Sequence, residues 1–162
     1  MKVLGSALAI LGLNIAQIIL TGLTPSAVRF FDLPLILVIY YALTKGPTGA
    51  LLAGTLAGLL QDALGATLLG PSALSKALIG YLVGVFGRRF SPTSLLARIL
   101  IIAAATVLAS TMEVGTLAIM GRNLAYSTYP HLLERMLGNS LAGALVMETM
   151  RYTRLGWQAG TR

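Results

Sequence analysis

Cysteine is absent from the 162 residues, which rules out disulfides, thiolate metal sites and a cysteine nucleophile. Charge is scarce as well: 10% of residues are Asp, Glu, Lys or Arg while 56% are hydrophobic, a balance that could hardly furnish the polar shell of a water-soluble domain. Aromatics make up only 7%, few for a ligand cavity lined with rings, and most Phe and Tyr fall near the ends of apolar runs. The single histidine, His131, follows Tyr129-Pro130 with no second His, Cys or spaced carboxylate to complete a metal site. A phosphate-cradling loop is missing, since Gly46-Pro47-Thr48-Gly49 lacks the lysine and hydroxyl that should follow. Serines such as Ser140 have no evident base. Neither a metal nor a cofactor is expected.

What remains is a strongly apolar chain with a mean hydropathy of +0.83, which reads as an all-α integral membrane protein. A spanning helix needs ~20 mainly apolar residues plus a connection, so the length leaves room for about six spans and no sizeable aqueous domain. Charges and Pro/Gly punctuation divide the chain at Val3–Leu23, Leu33–Thr44, Thr48–Leu60, Ser72–Gly87, Ile99–Met120 and Leu132–Met150. Residues 1–162 therefore read as a single transmembrane domain, a six-helix bundle. Its second and third segments are short, either two tight spans or a re-entrant hairpin around Lys45-Gly46-Pro47. A signal peptide cleaved near Ser26-Ala27 is the rival for the first segment, whose apolar core is too long for a typical h-region.

The formal net charge of +7 could suggest nucleic acid, but the basic residues flank apolar runs and form no tract, so membrane lipids are the better partner. Grouping Lys2, Lys45, Arg88, Arg89, Arg98, Arg151, Arg154 and Arg162 on one face leaves Arg29 and Arg122 opposite. That asymmetry places both termini in the cytoplasm.

A few polar residues interrupt the apolar segments. Steps of four from Gly46 give Ala50, Gly54, Gly58, Asp62, Ala66 and Gly70, a small-residue ridge broken by one carboxylate. In the next segment Gly84 and Gly80 step back to Lys76. Asp62 and Lys76 are therefore candidate partners beside close-packing surfaces suited to a neighbouring or partner helix; alternatively, Asp62 ends its helix at the interface and Lys76 snorkels outward. Glu113 and Arg135 form a second candidate pair, which Asn139, one turn from Arg135, could join. Asn14 and Gln17 share a face in the first span and call for hydrogen bonds to another helix, in this chain or a partner. Glu148 and Arg151 read as a solvated pair. An aspartyl protease would use Asp32 and Asp62 as a proton-sharing dyad, but the surrounding signatures are missing.

The run from Pro34 to Leu43, then Gly46 and Gly49, the stretch GTLAGLLQDALGATLLG and its continuation Ser72–Leu82 resemble the MreD family of bacterial rod shape-determining proteins. The most specific element is G-x-x-x-G-L-L-x-D-x-L-G, Gly54 to Gly65. The resemblance implies a non-catalytic scaffold of the cell-elongation machinery in the cytoplasmic membrane. Its implied partner is the bitopic coiled-coil protein MreC, with links to MreB, RodA and the RodA transpeptidase, and so to cell shape and peptidoglycan synthesis. In architecture the family also looks similar to the S subunits of energy-coupling-factor vitamin transporters, which makes substrate binding the alternative function. An intramembrane aspartyl protease is the second alternative.

Overall fold

A computed structural model describes residues 2–24, 30–65, 68–90, 92, 94–121 and 129–159. The junction Ser26-Ala27, the ridge residue Ala66, and Arg29, Arg122 and Arg162 lie outside the described residues. The fold is all-α. Six helices follow one another: α1 (Lys2–Leu23), α2 (Leu33–Lys45), α3 (Pro47–Leu64), α4 (Pro71–Phe90), α5 (Leu95–Ile119) and α6 (Leu132–Ala159), with a 3₁₀ turn at Tyr129–His131.

The helix ends lie where local chemistry places them, often a turn beyond the apolar runs. Asp32 caps α2, its carboxylate accepting from Leu35 N at 3.0 Å, and Pro34 suits the first turn because its missing N–H would be unpaired there. Gly46, at φ +83°, separates α2 from α3, and Pro47 starts the new helix. The third segment reaches Leu64, not Leu60, because Gln61 and Asp62 still lie within the helix; it stops where Gly65 N donates to Gln61 O at 2.9 Å. Arg88 and Arg89 extend α4 by their favourable position at a helix C-terminus. Ser94 starts α5 early by accepting from Ala97 N at 3.2 Å.

Of the described helices, one, α5 with 25 residues, is long and apolar enough by itself to cross a membrane. The expectation of six helices therefore agrees with the fold, while six membrane-length helices is a finer statement than length and apolarity support. The short α2, with 13 residues, or about 20 Å at the helical rise, is the hub. It packs on every other helix, and the run Pro34–Ile39 is buried without a break, as expected for a helix apolar all round. Leu35, Ile39 and Ala42 face Ile79 and Val83 of α4, Ile102, Ala105 and Ala109 of α5, and Met147 of α6. Leu37 and Val38 pack instead with Ile10 of α1 and Ala53 and Ala57 of α3.

The most extensive helix–helix interface joins α3 to α4, and glycines line it. A Cβ on Gly54 would strike the Lys76 carbonyl, one on Gly58 the backbone of Ala73, one on Gly80 the Ala50 carbonyl and Val38, and one on Gly84 the backbone of Pro47. Small-residue ridges permit such backbone contact, which replaces the hydrophobic driving force that is absent between helices in lipid. Both ridges thus face each other, so a partner helix does not occupy this seam.

The same antiparallel packing gathers basic residues at one end. The Arg88 guanidinium lies over Gly46, beside Lys45, and Arg98 Nη1 lies 3.9 Å from Glu148 Oε2.

A buried charge junction as the candidate functional site

Asp62 and Lys76 do not pair. Asp62 is 2% exposed, and its Oδ2 accepts from Gly70 N at 2.8 Å and Ser72 N at 3.2 Å. These donors stand at the start of α4, where Pro71 supplies no N–H. The carboxylate caps the positive end of the next helix from outside its sequence. Along this one run Gly54 and Gly58 open the seam, Asp62 caps α4, and Gly65 ends α3.

Lys76 turns elsewhere. Fully buried, its Nζ lies 3.1 Å from Asp32 Oδ2 and 3.1 Å from Glu113 Oε1. Arg135 enters from α6 and places Nη2 2.7 Å from Asp32 Oδ2 and Nη1 3.7 Å from Glu113 Oε2. Two acids and two bases form one electroneutral cluster joining the entry of α2 to α4, α5 and α6. The Glu113 and Arg135 pair is present as two corners of this cluster, not as an isolated bridge.

A polar collar completes it. Asn139 Oδ1 accepts from Asp32 N at 2.7 Å, while its Nδ2 donates to Thr106 Oγ1 at 3.2 Å. Ser75 Oγ donates to Glu113 at 3.4 Å, and Arg135 Nη1 donates to Ser110 Oγ at 3.4 Å. Gln17 reaches across from α1, donating to Phe31 O at 2.9 Å and accepting from Leu33 N at 3.2 Å, and so clamps the backbone on both sides of Asp32. Asn14 does otherwise: its Nδ2 returns to Ile10 O of its own helix at 2.9 Å, so the expected bond to another helix is made by Gln17 and not by Asn14.

Burying this many charges is costly unless each is paired and hydrogen-bonded. Asp32 meets that condition on both oxygens, through Leu35 N on one and Lys76 and Arg135 on the other. The proton-sharing dyad of Asp32 and Asp62 is therefore overturned: each carboxylate already serves a different set of donors. His131 Nδ1 lies 3.2 Å from Glu134 Oε2, and no cluster of three metal-ligating side chains occurs among the described residues.

The family profile described as rod shape-determining protein MreD matches residues 4–152. The chain belongs to the MreD family. As a member it is a non-catalytic membrane scaffold of the cell-elongation machinery, the complex associated with MreC. No curated protein and no solved structure matches the chain, so the likeness to transporter S subunits gains no support from one. Asp32, the hub of the junction, lies 103 residues from Arg135, so spacing along the chain does not reveal it. The signal that could have found it is Asp32-Leu33-Pro34, an N-cap followed by a first-turn proline.

Proposed function

We propose that this MreD-family protein is a preformed six-pass scaffold, with both termini in the cytoplasm, that presents its outer helical surface to the transmembrane helix of MreC and through it joins MreB, RodA and the RodA transpeptidase. The observation that carries the reading is the internal neutralisation of Asp32, Lys76, Glu113 and Arg135. Charges that satisfy one another inside the chain fix how α2, α4, α5 and α6 are rotated, since a misplaced helix would strand a charge in lipid. Gly54, Gly58, Gly80 and Gly84 act in this reading as packing positions, and Asp62 as a cap. Gathering Lys45, Arg88, Arg89 and Arg98 at one end supports a cytoplasmic side there.

Purification in mild detergent tests the function. MreC is expected to accompany the protein, whereas a bound vitamin with an ATPase module would replace the scaffold by a transporter subunit. Topology has its own test, helped by the cysteine-free background: Ser94→Cys should react with an impermeant maleimide only from the cytoplasmic side, and Thr24→Cys only from the other. The reverse pattern would overturn the orientation.

A further inference from the structure

Between α4 and α5 the surface opens into a lateral groove of about 440 Å³. Val83, Phe86 and Phe90 line it from α4, and Ala97, Ala104 and Leu108 from α5. The Phe86 and Phe90 rings lie stacked, with centroids 6.1 Å apart. The groove extends along α5 from Ala97 to Leu108, about 16 Å at a rise of ~1.5 Å per residue. That is close to one leaflet, half of a hydrocarbon core ~30 Å thick. A single extended alkyl chain matches that length, and the wholly apolar lining suits one.

Charge at one end selects the headgroup. Pro92 forms part of the groove, and its carbonyl accepts from Arg98 Nε at 3.3 Å, which holds the guanidinium beside that end of it. A guanidinium carries five N–H donors in a planar fork matched to phosphate. The other contact of Arg98 is the long 3.9 Å approach to Glu148. Arg89, in the last turn of α4, is exposed on the same connection.

We propose that an anionic phospholipid of the arginine-bearing leaflet seats an acyl chain in the α4–α5 groove and its phosphate at Arg98, with Arg89 adding charge. The proposal rests on the multi-pass reading above. Cysteine labelling of the same preparation reads orientation separately, so a wrong topology and an empty groove give different results.

The full-length protein, purified in detergent and offered an equal mixture of phosphatidylglycerol and phosphatidylcholine, is examined by native mass spectrometry. Phosphatidylglycerol should be retained in preference, and Arg98→Gln should cut that preference about fivefold, the value of one basic residue at an anionic surface. Ala104→Trp should abolish retention of both lipids by filling the groove. Should that variant fail to fold, phosphatidylglycerol with a photoreactive chain is expected to label the wild-type protein between Ala97 and Leu108. Equal retention of the two lipids would overturn the proposal, as would labelling confined to other helices. A photocrosslinker at Ala104 that captures a protein helix in cells, in place of lipid, would give the groove to a protein partner.

Discussion

The α3–α4 seam and the charge junction meet on one ridge of α4, where Gly84 and Gly80 belong to the seam and Lys76, four residues further back, belongs to both. Its carbonyl lies where a Cβ on Gly54 would go, while its ammonium sits between Asp32 and Glu113. The two regions obtain specificity from opposite physics. In the seam, backbone meets backbone, and any added atom must displace a helix. In the junction, side chains reach over longer distances and the constraint is charge balance: a partner removed alone leaves a buried charge, whereas a balanced pair removed together leaves none.

The comparison would break first at Lys76. Lys76→Met leaves Asp32 and Glu113 to a single guanidinium and should cost about 3–5 kcal/mol of stability, the usual result of breaking a buried pair, read as a fall in detergent melting temperature. Adding Glu113→Gln restores neutrality and should recover about half of that loss. A double variant no better than the single one would mean that charge balance is not the organising constraint.

Glycine replacements sharpen the other half. Gly58→Ala forces a methyl into the Ala73 backbone and should cost about 1–3 kcal/mol. Gly115→Ala meets nothing within 4 Å and should be neutral or stabilising by about 0.5–1 kcal/mol, because alanine loses less entropy in a helix. Equal effects at the two positions would remove close packing as the reason for glycine in the seam.

Asp62→Asn should cost about 1 kcal/mol by weakening the cap of α4. Its effect should add to that of Lys76→Met within about 0.5 kcal/mol, as separate sites do. A strong coupling between them would reunite Asp62 with the junction. The smallest effect is expected at Asn14→Leu, within about 0.5 kcal/mol, since Asn14 returns one hydrogen bond to its own helix and its buried Oδ1 has no partner among the described residues.

Much of this was legible along the chain. The apolar runs, with charges and Pro/Gly punctuation between them, set the number of helices and brought most boundaries within a turn, since both are local features of the chain. The spacing of Gly54, Gly58, Gly80 and Gly84 announced two close-packing ridges, and Gly54 to Gly65 carried the family pattern. The resemblance to the MreD family rests on that run and its flanking segments, a linear pattern that needs no tertiary contact.

Apart from Glu113 with Arg135, a pair the sequence already suggested, which charge meets which was decided by tertiary structure. Asp32 and Arg135 are 103 residues apart, and Lys76 and Glu113 are 37 apart. Asp62 and Lys76, on consecutive helices, were the nearer candidates and the wrong ones. A helical repeat states which residues share a face, but each helix can turn about its axis by 100° for every residue of offset. The neighbour that a face meets depends on how all six helices pack at once, and here packing on the buried hub α2 turned Lys76 toward Asp32 and left Asp62 to hold the start of α4.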